Sequence, residues 1–300
     1  MEIRDRPSLP GGATDAARPI GRFERSGVLH PENLDRYAAT RHEPDPAIGA
    51  VVDHFWTVAW NLPDGERIEQ RILTDPAVTL TVEAGHVPAE LVVTGVHRNA
   101  WTREIAGWGT GFAIRLRPAG LAVLSDLTPA RIADRTCAVS PAPSPAPAGA
   151  PSPRRIPEVV DRRLAALLRA VAGEPDTPSR IARATALITA AITARPPTPR
   201  RLLANAAMDA ITRGDPLPAG PSLRTVERAL RETVGHGPAW LRRRVRLQEA
   251  ARRFASDGES GAAAIAAHLG YADQSHLINE FRAATGRTPG EYLRSLALGS

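Results

Sequence analysis

Residues 265–281 read Ile265-Ala-Ala-His-Leu-Gly-Tyr-Ala-Asp-Gln-Ser-His-Leu-Ile-Asn-Glu-Phe281. With the three alanines before it, the stretch from Ala262 to Leu269 is a short helix with Ile265 and Leu269 on one face. Gly270-Tyr271 makes a turn, and Asp273 is a good N-cap for a second helix. Helix, short glycine-containing turn, helix is the helix-turn-helix pattern. Leu277 and Phe281, four apart, pack inward. Gln274, Ser275, His276 and Asn279 are then left facing outward near the N-terminal half of the second helix. Such side chains donate to or accept from base edges in the major groove of double-stranded DNA.

The second helix has a counterpart upstream. Val226-Glu-Arg-Ala-Leu230-Arg231-Glu-Thr-Val-Gly235-His-Gly-Pro238 aligns without a gap with Leu277-Ile-Asn-Glu-Phe281-Arg282-Ala-Ala-Thr-Gly286-Arg-Thr-Pro289, an offset of 51 residues. Each copy has apolar residues at i and i+4, an Arg, a Gly at the helix end and a Pro three residues later. The same offset pairs Ser222 with Asp273, both N-cap residues. Between the copies, Trp240, Leu241, Val245, Leu247, Ala250 and Phe254 supply buried contacts for one joining helix. Residues 222–296 hold 12 Arg against 8 acidic residues, a net of +4 out of +6 for the chain. A charged helix alone is only a solvated face; two capped helices within a basic region favour DNA.

Residues 265–281, followed by Gly286-Arg-Thr-Pro-Gly-Glu-Tyr-Leu293, resemble the signature of AraC/XylS-family transcriptional regulators. The resemblance covers about 222–296 and implies two helix-turn-helix subdomains joined by a long helix. It also implies base-reading positions at Gln274, Ser275, His276 and Asn279, and at Arg224, Thr225, Glu227 and Arg228 in the first copy. Gly27-Val-Leu-His-Pro and Asp53-His-Phe-Trp56 resemble the sensor-like domain of one AraC-type subgroup. The first copy departs from the pattern. Where its supporting helix belongs, the chain reads Gly214-Asp-Pro-Leu-Pro-Ala-Gly-Pro-Ser222, and three prolines forbid a regular helix. The first subdomain either lacks its scaffold helix or borrows the one expected over 200–213.

Upstream, residues 138–157 read AVSPAPSPAPAGAPSPRRIP, a polyproline-type linker or long exposed loop. Three amphipathic segments follow it. One over 158–172 carries Val159, Val160, Leu164, Leu167 and Leu168; the others carry Ile181 to Ile192 and Leu202 to Ile211. Before the linker the pattern is of strands: 51–60, 78–83, 91–96 and 112–117, with Thr128-Pro129 opening a short helix to about Arg135. Residues 1–20 are a Pro-, Gly- and Arg-rich lead-in. The fold class expected is therefore α+β and multidomain. A β-rich sandwich or small barrel (1–137) for sensing or dimerisation is followed by the linker (138–157) and a helical connector (158–213). An all-α double helix-turn-helix domain (214–300) completes the chain.

Composition narrows the function. All 38 basic residues are Arg, and the sequence pI is about 10.6. The single cysteine, Cys137, excludes an internal disulfide, a Cys-rich zinc site and a redox pair, which fits a cytoplasmic protein. The start, MEIRDRPSLPGG, lacks the apolar core of a signal peptide, and no apolar run is long enough for a membrane span. His42, His54, His86 and His97 include no His-x-His pair, and no Gly-x-Ser-x-Gly elbow or Gly-rich phosphate loop occurs. No enzyme activity, metal or cofactor is expected. Trp56, Trp60 and His54 are candidates for lining an apolar ligand pocket in the β domain. The reading is a sequence-specific DNA-binding transcriptional regulator, activator or repressor, modulated by a small-molecule effector or partner. RNA polymerase and a second copy of the chain are further candidate partners. The competing class is an enzyme or metal-binding N-terminal domain tethered to DNA.

Overall fold

The computed structural model describes residues 17–21, 27–142, 156–256 and 261–298. Most of the expected lead-in and of the expected linker lies outside the described residues. The N-terminal part contains β1 (Ala17–Pro19), β2 (Tyr37–His42), β3 (Val52–Asn61), β4 (Arg67–Ile72), β5 (Thr79–Gly85), β6 (Leu91–Thr94), β7 (Trp101–Ala106) and β8 (Trp108–Leu116). Helices α1 (Gly120–Leu124) and α2 (Pro129–Ile132) follow, then strands β9 (Thr136–Ser140) and β10 (Glu158–Val160).

Eight strands form one sheet in the order β1-β2-β3-β8-β5-β6-β9-β10, and β4 and β7 form a second, two-stranded sheet. Every pairing is antiparallel except β9 with β10. Alternation along β3 puts Phe55 on one face and Trp60 on the other. Phe55 stacks on Phe112 at 5.6 Å in the main core. Trp60 packs with Leu62, Ile68 and Ile105 beneath the small sheet. From that sheet, Arg103 on β7 makes two hydrogen bonds to the buried Glu83 of β5, at 2.7 and 2.9 Å. The β part is thus two-layered, as the strand pattern predicted. Gly109 is required opposite Trp60, because a Cβ there would lie 2.1 Å from the indole.

Two expected helices change their bounds. Val159 and Val160 are in strand β10, and the helix begins only after Asp161, whose carboxylate accepts from Leu164 N at 2.9 Å. Parallel pairing with β9 captures the two β-branched residues that periodicity alone had placed in the helix. The helix expected to reach Arg135 ends at Ile132, and Asp134 turns the chain with φ 54°. Strands β1, β2, β4, β7 and β9 were not read from the sequence, and β1 falls in the expected lead-in. Their alternation is broken by charged and small residues, and non-local pairing holds them.

Helices α3 (Arg162–Ala172) and α4 (Thr177–Ala194) lie against the main sheet. Their Leu164, Leu168, Val171 and Ile188 share one buried cluster with Phe55, Leu80, Phe112 and Ile114. The β-rich part and the first two connector helices therefore have a common core.

The remaining helices are α5 (Pro199–Arg213), α6 (Leu223–Val234), α7 (Pro238–Ser256), α8 (Ala262–His268), α9 (Gln274–Thr285) and α10 (Pro289–Leu298). They form two clusters. Ala204, Ala207 and Ile211 of α5 pack with Val226, Ala229, Leu230 and Val234 of α6 and with Leu241 of α7. Leu247, Ala250 and Phe254 of α7 pack with Ile265, Leu277, Phe281 and Tyr292. The long helix α7 thus joins the two units, with one end in each core. No helix among the described residues is long and apolar enough to cross a membrane.

Candidate nucleic-acid interface

The two repeat helices are built alike. Ser222 Oγ accepts from Thr225 N at 3.2 Å, and Asp273 Oδ1 accepts from His276 N at 2.8 Å. These caps satisfy backbone donors that the first helical turn leaves unpaired. At the other ends Gly235 (φ 86°) and Gly286 (φ 74°) adopt the left-handed conformation that stops each helix. Pro238 and Pro289 then open α7 and α10, so the 51-residue repeat extends into the following helix.

The scaffold of the first unit is α5. Residues 214–222 form an irregular loop, as the prolines require, and the 15-residue α5 packs against α6 in place of the missing short helix. In the second unit the short α8 holds α9 through a five-residue turn, 269–273. Tyr271 of that turn is buried beneath Arg246, whose guanidinium lies 4.9 Å from the ring. Burial and the neighbouring Glu280 carboxylate push the Tyr271 hydroxyl above its ordinary range, so it stays neutral.

The structure places Gln274, Ser275, His276 and Asn279 together on the exposed side of α9, opposite the buried Leu277 and Phe281. The His276 ring meets the edge of Tyr271 at 5.4 Å, which restrains it. The first-copy residues differ among themselves. Arg224 and Arg228 are exposed. Thr225 shares a 2.9 Å hydrogen bond with Ser222 in the cap. Glu227 accepts from Arg231 at 2.8 Å, an i,i+4 pair along the helix. Arg228 in turn lies 4.0 Å from Glu232 one turn on, so three of these four side chains are engaged within their own helix.

His54, Trp56 and Trp60, the candidate pocket residues, alternate onto one face of β3 but are spread along it. His54 and Trp60 lie six positions apart on one extended strand, about 20 Å at the rise of a strand. Trp60 is buried and donates to Ala106 O at 3.2 Å. His54 is buried beside Asp53, with 2.7 Å between Nδ1 and Oδ2, and burial holds its pKa below the usual histidine value. Trp56 is half-buried at the β3 register position opposite Ala113 and Arg41. A cavity of about 620 Å³ lies elsewhere, among α1, α2, the start of α5 and the end of α6. Its lining comes from segments distant in sequence, so no local signal pointed to it. No group of three His, Cys, Asp or Glu suited to a metal occurs among the described residues.

The helical units also hold the β-rich part. Arg244, buried on α7, donates to Thr74 O at 2.9 and 2.7 Å. Arg287 donates to Leu29 O at 3.0 Å, and Ala100 N donates to Ala284 O at 2.8 Å. Asn205 of α5 bridges Ala119 N (2.9 Å) and Ala50 O (2.8 Å). Leu29 and Leu73 are buried in the core of the second unit and Val96 in that of the first. Ala284 lies in the last turn of α9, whereas Gln274, Ser275, His276 and Asn279 nearer its start are exposed.

The helix-turn-helix domain family matches residues 219–295, and a domain family of unknown function, DUF6597, matches residues 40–138. No curated protein matches the chain. Among solved structures, apo ToxT from Vibrio cholerae, in a variant form, aligns with 85% of this chain and 100% of its own at 10% identity and a TM-score of 0.33. Residues 219–295, with their repeated capped helices and joining helix, are a helix-turn-helix domain of the AraC type.

Proposed function

We propose that this protein binds a specific DNA site through both α6 and α9 and so regulates transcription, with its β-rich part modulating that binding. The observation that carries the reading is the pair of equivalent helices, each capped, each backed by its own scaffold and joined through one continuous α7. Such a frame presents two helices to successive turns of the major groove. On α9, Gln274, Ser275, His276 and Asn279 read base edges. On α6, Arg224 and Arg228 contact phosphate, while Thr225 and Glu227 hold the helix and its arginines in place. The many contacts between the helical units and the β-rich part support a regulatory coupling, through a small-molecule effector, RNA polymerase or a second copy of the chain.

Selection of binding sequences from random DNA, followed by titration of the selected site over a range of salt, tests this reading. Binding at least about a thousandfold tighter than to random DNA is expected, with affinity falling steeply as salt rises. Equal affinity for selected and random DNA at physiological salt would refute it.

A further inference from the structure

We propose that the cavity among α1, α2, α5 and α6 is an effector site for a small organic carboxylate, and that its occupancy is passed to α6 through Arg200 and Glu232. The inference rests on the DNA-binding reading above and adds the ligand class and the route. The volume, about 620 Å³, lies within the range of small-molecule sites. Leu121 and Leu127 contribute apolar lining, Arg195, Arg200 and Arg201 contribute guanidiniums, and Asp126 and Glu232 contribute carboxylates.

The three guanidiniums differ in what they already hold. Arg195 is taken: it donates to Asp126 Oδ1 at 2.9 Å and to Ser125 O at 3.1 Å, tying α4 to the loop after α1. Arg200 sits at 3.3 Å from both Glu232 oxygens, a long pairing between exposed groups. Such a pairing is weak and exchangeable. The Arg201 guanidinium has no polar partner among the described residues, and the Thr128 hydroxyl makes no capping bond. Two adjacent arginines, one free and one loosely held, suit a carboxylate through charge-assisted hydrogen bonds. The apolar lining from Leu121 and Leu127 suits a hydrocarbon or aromatic body.

The route to DNA starts at Glu232. It lies on α6 one turn beyond Arg228, with 4.0 Å between Arg228 Nε and its Oε1. A carboxylate that draws Arg200 away leaves Glu232 to pair with Arg228 alone. The charge that Arg228 presents to phosphate is then reduced.

The test uses the full-length protein and a panel of aryl and alkyl carboxylates, each matched with its neutral primary amide. Thermal unfolding is followed with each compound, and affinity for the selected DNA site is then measured with and without the carboxylates that act. The expected result is a rise in Tm of about 5 °C at a hundredfold excess over Kd for at least one carboxylate and none for its amide. Arg201→Gln and Arg200→Gln, each checked for native unfolding without ligand, should remove that rise. DNA affinity should fall about fivefold on adding the active carboxylate to the wild type, and this response should be absent in Glu232→Gln. No rise with any carboxylate, or a rise that persists in both Arg variants, overturns the site. A rise without any change in DNA affinity overturns the route. Both failures leave sequence-specific binding by the unliganded protein intact, whereas its absence would refute the DNA-binding reading instead.

Discussion

Arg244 donates through Nε and Nη2 to the main-chain carbonyl of Thr74, at 2.9 and 2.7 Å, from a position only 2% exposed. The two residues are 170 apart in sequence. Arg244 lies on the helix joining the two DNA-binding units, and Thr74 follows the last strand residue of β4 by two positions. Burial pulls the guanidinium pKa down to about 10, so it remains charged at neutral pH while its carbonyl partners replace water. The contact fixes α7, which joins the units of α6 and α9, against the β-rich part.

Replacing that arginine should therefore loosen the whole assembly. Arg244→Met keeps much of the side-chain volume but leaves the Thr74 carbonyl without its donor. Urea unfolding is expected to show a loss of about 2–3 kcal/mol. A loss below about half a kcal/mol would mean that water serves that carbonyl equally well.

The two recognition helices should respond differently to truncation. Gln274→Ala and Asn279→Ala are each expected to cost about 1–3 kcal/mol and to relax preference at one or two base pairs. Arg224→Ala and Arg228→Ala are expected to weaken binding to all sequences alike. Titrating each variant against a set of single-base operator mutants makes the comparison. A change of base preference in Arg228→Ala with none in Asn279→Ala would reverse the assignment.

The interface also titrates. His97 is buried and stacked on Trp101 at 5.7 Å, and burial holds its pKa below the ordinary value of 6.5, with Asp134 opposing and Arg244 reinforcing the shift. The unfolded chain thus takes up this proton at a higher pH than the folded one. Stability from neutral His97 is complete above about pH 6.5 and is lost as pH falls towards the folded-state pKa. His97→Gln should accordingly flatten the decline of Tm between about pH 7 and 5. An unchanged slope would place the acid sensitivity at the buried His54 or the half-buried His42 and His236, whose pKa values desolvation also lowers.

The β-rich part should not fold without the first two connector helices. Leu164, Leu168, Val171 and Ile188 cover the sheet face that carries Phe55 and Phe112. A fragment of residues 1–142 is expected to be aggregated or unfolded by circular dichroism, and one of residues 1–196 cooperative on heating. A stable, monomeric 1–142 fragment would put the domain boundary back at the Pro/Ala segment.

What the sequence determined by itself was local. Ser222 and Asp273, Gly235 and Gly286, and the apolar pairs Val226/Leu230 and Leu277/Phe281 act within a turn or two of helix. Caps, stops and the repeat were therefore legible, and with them the DNA-binding domain. Prolines 216, 218 and 221 equally announced that no short scaffold helix precedes α6. Only the tertiary structure decided that α5 takes its place, because that depends on Ala204, Ala207 and Ile211 meeting α6 across a nine-residue loop. The same holds for the pairing of Val159 with Val139, for the separation of His54 from Trp60, and for the Arg-lined cavity. Each arises where segments far apart in the chain come to share one core, and apolar periodicity states which face is buried without stating against what.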